Sequence, residues 1–315
     1  MPIYNYKNHH ISYRYDGEKG TPVIAFINGL TQRTLHWQPY AEYLTKRGLS
    51  VLTYDLLGQG ESSKPVLSVD FDDNVNVLFA LMAHLKIEKV HVAGISFGGI
   101  IVLKFAIKFP DRTASIVPMS TFSEMDSQLE WFGMNLYQGM VTVGFEYLVD
   151  MLIPINFSPN HIAKFKEQLP TIRRAVATYN DLYAIQNIIE SLQNFKPFTH
   201  ELAHVKCPAL IMNAEYDCLT TRRLHEILRK NLINSRLMLM QHTCHAFTLE
   251  IPEITCRIID DFVKSVESGK WKGDQSVWIA TDDYHSKEMA YPCKGDHTRA
   301  IPVPDKEDKN IQINI

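Results

Sequence analysis

Val92-Ala93-Gly94-Ile95-Ser96-Phe97-Gly98-Gly99-Ile100 is the stretch that decides the fold of this chain. It reads as an apolar strand, a G-x-S-x-G turn and the start of an apolar helix running from Ile100 to Phe109 and closed by Pro110. A serine on so sharp a turn is held in a strained backbone conformation. Small residues two before and two after it are needed because the two arms nearly touch. Both are glycine here, Gly94 and Gly98. The turn lifts the Ser96 hydroxyl above a sheet edge and aims the Phe97 amide, at a helix N-terminus, toward any oxyanion that forms beside it. A chance G-x-S-x-G has no reason to fall between a strand and a helix, so the flanks carry the reading of Ser96 as a nucleophile.

Outward from this turn, strand and helix signals alternate, which predicts an α/β fold with a mostly parallel sheet covered by helices on both faces. Strands are expected over 23–27, 50–54, 89–95 and 115–119, with Pro118 marking an end or a bulge, and helices over 37–46 and 71–85. The alternation then stops for about 80 residues, far longer than an ordinary connection. Residues 122–204 read as amphipathic helices rich in Met, Phe, Tyr and Trp, placed where a lid over the Ser96 edge would sit. The sheet resumes at 207–212 and takes 237–240 as its last strand, with helices from about Leu224 and over 253–266. The expected division is a core of 1–121 and 205–268, a lid of 122–204 and a C-terminal extension of 269–315. That extension is polar and aperiodic, and leaves open wrapping the core, mediating association or partial disorder.

Composition narrows the class. The 315 residues are 45% hydrophobic and 21% charged, with a formal charge of −3. No basic stripe argues for nucleic acid or an anionic membrane surface. The polar start lacks a signal-peptide core, no apolar run reaches bilayer length, and five cysteines without C-x-x-C spacing suit a reducing compartment. The expectation is a cytoplasmic protein acting on a small molecule.

A serine hydroxyl needs a base to take its proton and an acid to orient that base. Asp217 follows the strand at 210–212 and His245 follows the strand at 237–240, in the chain order Ser, Asp, His. Strand ends on one edge of a parallel sheet are neighbours, so the three can converge. Glu215 is the rival acid and His242 the rival base. Cys218 and Cys244, beside Asp217 and His245, fit no zinc spacing and sit on no such turn, so they are read as structural, and no metal or cofactor is expected. The second oxyanion amide falls to Leu30, in Ile27-Asn28-Gly29-Leu30-Thr31, beside that of Phe97. Asn28, Trp131 and Met134 are the candidate substrate contacts.

Taken together, Asn28-Gly29, Asp55-x-x-Gly58-x-Gly60-x-Ser62, the turn at Ser96, Asp217, His245 and Glu250-x-Pro252-Glu253 resemble the α/β-hydrolase fold with a helical lid, from Pro22 to Val266. That family usually has histidine where Asn28 stands and glycine where Cys244 stands. Asn28-Gly29 with Asp217-x-x-Thr220-Thr221 is also similar to a branch that moves 3-hydroxyacyl groups, although that branch usually has serine where Gly94 stands. The resemblance implies a serine hydrolase of esters, lactones or thioesters. It leaves an acyltransferase using an acyl carrier protein or coenzyme A thioester as the first alternative, and a non-catalytic or slow-turnover binding protein as the second. The lid composition favours an acyl substrate with an apolar portion.

Overall fold

The computed structural model describes residues 1–64 and 69–293. Ten strands among them form one sheet: β1 (Ile3–Tyr6), β2 (His9–Asp16), β3 (Val23–Ile27), β4 (Ser50–Tyr54), β5 (Val90–Ile95), β6 (Thr113–Met119), β7 (Ala209–Ala214), β8 (Ser235–Met240), β9 (Val277–Ala280) and β10 (Ala290–Pro292). Their spatial order is β1-β2-β4-β3-β5-β6-β7-β8-β9-β10. From β4 to β9 every pairing is parallel, and antiparallel strands β2 and β10 flank that block. Strands β3, β4 and β5 are buried at every residue, the pattern of strands covered on both faces.

Alternate residues of these strands feed two cores. Ala25, Val92, Ile116 and Ile211 face α2 (Phe71–His84) and α3 (Phe97–Lys108), whereas Phe26, Ala93, Val117 and Met212 face the other side. There α1 (Gln38–Thr45) packs through Tyr40 and Leu44. Between β6 and β7 stand α4 (Ser127–Thr142), α5 (Phe145–Asn156), α6 (Pro159–Phe165), α7 (Leu169–Tyr179) and α8 (Leu182–Gln193). Asp126 and Asp181 cap α4 and α8 by accepting the amides of Leu129 and Ala184 at 3.0 and 2.8 Å, which satisfies otherwise orphaned donors. After β7 come α9 (Arg222–Asn231), α10 (Phe247–Glu250) and α11 (Pro252–Glu267). No described helix is long and apolar enough to cross a membrane.

The structure corrects one boundary. Strand β8 is not the last: β9 adds in parallel to β8, and β10 pairs antiparallel with β9. Trp271 leads the chain there, its ring 4.6 Å from that of Phe262 and its indole N–H bonded to Asn234 Oδ1 at 3.1 Å. Residues 269–293 therefore wrap the core, while the reading of 294–315 lies outside the described residues. Strands β1 and β2 were not expected either. Parallel pairing leaves the C-terminal ends of β3, β5, β6, β7 and β8 on one edge, and the site is built there.

Candidate active site

Ser96 has φ 55° and ψ −119°, a left-handed backbone that a side chain other than glycine adopts only when the surroundings impose it. Those surroundings are steric. A Cβ on Gly94 would meet the Gly98 carbonyl at 2.7 Å, and one on Gly98 would meet the Ile27 carbonyl at 2.5 Å. Gly99 completes the set, since a Cβ there would strike the Thr121 side chain at 2.5 Å. The Ser96 amide bonds back to Met119 at 2.8 Å and Thr121 Oγ1 donates to the Ser96 carbonyl at 2.8 Å. The turn is thus clamped on both sides while the serine side chain stays partly accessible.

On the neighbouring strand ends, His245 Nδ1 and Asp217 Oδ2 are 2.9 Å apart. Asp217 is fully buried, yet all its acceptor directions are used. The amides of Leu219 and Thr220 donate to Oδ1 at 3.0 and 2.8 Å, and the Thr220 hydroxyl donates to Oδ2 at 2.8 Å. Burial pushes this carboxyl up, but adjacent His245, the bonds it receives and His225 outweigh that and hold it below its ordinary value. An ionised carboxylate only accepts, so the His245 ring carries its proton on Nδ1 and leaves Nε2 free to act as a base. The loop bearing it is fixed as well. The amides of His245 and Ala246 donate to the carbonyls of Ile155 and Asn156 at the end of α5, and Ser120 Oγ donates to the His245 carbonyl at 2.9 Å. Glu250 accepts the Cys244 amide on one oxygen and the Ser158 amide and hydroxyl on the other, joining the His245 loop to α6.

Ser96, His245 and Thr220 line one cavity of about 740 Å³ together with Leu30, Phe97 and Met134. Its remaining walls are mostly apolar side chains of α4, α5, α7 and α8. The amides of Leu30 and Phe97 have no hydrogen-bond partner among the described residues, as two oxyanion donors require.

The rivals lie elsewhere. His242 is exposed, its Nδ1 is 2.8 Å from Asp282, and its amide bonds to Glu215 at 2.8 Å; neither His242 nor Glu215 lines the cavity. Two of the expected substrate contacts are corrected. Asn28 is fully buried and does not line the cavity; its side chain accepts the Trp37 indole N–H at 2.8 Å and donates to the Tyr54 carbonyl at 3.2 Å. Trp131 points to solvent, 68% exposed, and is not a cavity residue. Burial raises the thiols of Cys218 and Cys244, the latter to about 12, so neither is a thiolate near neutral pH. Among the described residues no cluster of His, Cys, Asp and Glu could hold a metal ion. A second Ser–His–acid chain does exist: His91 Nδ1 is 2.8 Å from Ser115 Oγ and its Nε2 is 3.2 Å from Glu267. Ser115 and His91 are buried away from the cavity, so that chain is packing.

Sequence reasoning missed His225. It is fully buried on α9, accepts the Thr121 amide on Nε2 at 3.0 Å and donates from Nδ1 to the Thr221 carbonyl at 3.0 Å. Through Thr121 it braces the Ser96 turn, and no motif announces such a role. Burial pushes its imidazole down from 6.5 to about 4, against the pull of the Thr221 carbonyl and Asp217. A base with a depressed folded-state pKa stabilises the fold fully above its unfolded pKa. That stability is lost as pH falls through the window between 6.5 and about 4. His36 and His91 act in the same direction, and Asp55, raised by burial, opposes them. The urea midpoint should therefore fall on acidification across this window. His225→Gln should flatten the fall by on the order of 3 kcal/mol. An unchanged slope would mean that burial does not depress the His225 imidazole in the folded protein.

A family model described as alpha/beta hydrolase fold matches residues 22–252. The 3-oxoadipate enol-lactonase 2 of Acinetobacter baylyi is 23% identical over 276 residues, which span 84% of this chain and 99% of that protein. Serine hydrolase BPHL of Homo sapiens is 25% identical over 265 residues, 81% of this chain and 83% of its own. Among solved structures, the enol-lactonase from Burkholderia xenovorans gives a TM-score of 0.76 at 23% identity, covering 84% of this chain and 100% of that one. At that identity the structural likeness speaks for the fold.

Proposed function

This chain belongs to the α/β-hydrolase fold family, and on that premise we propose that it is a serine hydrolase of carboxylic esters, lactones or thioesters, working through an acyl-enzyme on Ser96. The observation that carries the reading is the buried Asp217–His245 pair opening onto the same cavity as the strained Ser96 turn. In this reading Ser96 Oγ attacks the carbonyl carbon as its proton passes to His245 Nε2. The tetrahedral oxyanion is held by the amides of Leu30 and Phe97. Collapse breaks the bond to the alcohol or thiol, which leaves with the proton from His245. Water then gives a proton to His245 and attacks the acyl carbon, which frees the acid and restores Ser96. Relatives whose names include enol-lactonase and serine hydrolase support the ester and lactone class.

A screen of p-nitrophenyl esters, lactones and acyl thioesters, with and without alcohol acceptors, tests this. Hydrolysis without acceptor supports the reading, product formed only with acceptor favours acyl transfer, and no turnover at all rejects both. Helices α4 to α8 serve as a lid in this scheme, and their apolar lining predicts chain-length selectivity. Burying a methylene is worth about 0.8 kcal/mol, so kcat/KM should climb several-fold per two carbons from acetyl to roughly hexanoyl or octanoyl. Met134→Gln, on the cavity wall, should flatten that climb, whereas Trp131→Gln on the outer surface should not. A series peaking at acetyl would mean that these helices only pack.

A further inference from the structure

Part of the cavity wall is polar. His36 and Tyr179 line it beside the oxyanion-loop residues Leu30 and Thr31. His36 Nδ1 accepts the Arg33 amide at 3.2 Å, so the ring proton sits on Nε2. Burial and the nearby Arg33 charge push this imidazole down to about 4, which keeps it neutral at pH 7. The Arg33 guanidinium lies over the Tyr179 ring, 4.1 Å from its centroid. Neither the His36 Nε2–H nor the Tyr179 hydroxyl has a hydrogen-bond partner among the described residues, and the half-buried Arg33 forms no ion pair among them. Asp55 senses the Arg33 charge, but its oxygens are already bonded to the amides of Thr34 and Glu61 and to Asn28. The acidic residue among those lining the cavity, Glu130, is exposed on α4. Two unused donors therefore line a mostly apolar chamber, and the unpaired Arg33 cation stands behind one of them, against the Tyr179 ring. A partly desolvated charge in such a place is favourable only with a counter-charge beside it.

We propose that His36 and Tyr179, backed by Arg33, form a carboxylate-recognition subsite, so that the substrates are esters or lactones whose apolar arm ends in a carboxylate. A planar anion accepting from an imidazole N–H and a phenol O–H would take both free donors at once, with the guanidinium supplying the long-range attraction. This rests on the hydrolase reading for the reaction, and the binding itself can be measured apart from it.

Two p-nitrophenyl esters of equal length make the comparison: the hexanoate and the monoester of hexanedioate. Wild-type kcat/KM should favour the acid-bearing ester by about tenfold, the preference should shrink as salt rises, and Tyr179→Phe and Arg33→Gln should each bring the ratio toward one. Arg33→Lys keeps the charge and should retain most of the preference. Calorimetry of Ser96→Ala with methyl hexanoate and monomethyl hexanedioate reads the same ratio without turnover. A wild-type ratio at or below one, or a ratio that the Tyr179 and Arg33 variants leave unchanged, overturns the subsite. Failure of both esters to turn over rejects the hydrolase reading, and the calorimetric ratio still decides the subsite.

Discussion

Ser96→Ala should lower kcat by about 10⁴-fold or more while leaving the melting temperature within a few degrees of wild type. The two halves of that expectation have separate origins. Loss of rate follows because Ser96 is the one serine, and no cysteine joins it, among the described residues that line the cavity with His245, Leu30 and Phe97. The small effect on stability follows because the strain at φ 55° belongs to the backbone, which alanine tolerates no worse than serine, and because the Ser96 side chain is only half-buried. Residual catalysis from the oxyanion donors and binding alone can survive loss of the nucleophile. A fluorophosphonate probe should label Ser96 in the wild type and nothing in the variant. Ser115 is the informative control, since it has a histidine at 2.8 Å and no access to solvent. Labelling of Ser115, or turnover retained by Ser96→Ala, would remove Ser96 from the centre of the mechanism.

The contrast between those two serines also shows what a sequence can and cannot reveal here. Ser96 is legible because the chemistry forces a local pattern: glycines where the arms touch, a strand before and a helix after. Strands β3 and β4 are legible at their ends because parallel strands buried on both faces are unbroken apolar runs. The edge strands have no such constraint. In β2 the run His9-His10-Ile11-Ser12-Tyr13-Arg14 mixes polar and apolar residues, and β9 is four residues inside a polar tail. Side-chain direction is less legible still. Asn28 follows β3 where an oxyanion-loop residue belongs, yet its amide turns down to Trp37. Trp131 and Met134 are three apart on α4, and only Met134 reaches the cavity. The brace from His225 through Thr121 to Ser96 joins residues more than a hundred positions apart in sequence by contacts that leave no local periodicity.

Asp217→Asn should cost on the order of 10³- to 10⁴-fold in kcat, and the hydrogen bonds around residue 217 say why. Two backbone amides, those of Leu219 and Thr220, point at Oδ1. An asparagine there must turn its carbonyl oxygen toward these donors, which leaves its NH₂ facing His245 Nδ1. That nitrogen is then compelled to accept, the ring proton moves to Nε2, and the base no longer has a lone pair for the Ser96 hydroxyl. The packing is unchanged by so small a substitution, so the variant should fold and yet fail. His245→Ala should lose a comparable factor by removing the base outright. Fluorophosphonate labelling should slow in parallel in both variants, because it depends on the same proton transfer. His242→Ala and Glu215→Gln should stay within a few-fold of wild type, since both side chains lie outside the cavity, Glu215 accepting the His242 amide and His242 pairing with Asp282. If His242→Ala proves more damaging than His245→Ala, the base has been assigned to the wrong histidine. If Asp217→Asn keeps most of its rate, the buried carboxylate orients structure and not a proton.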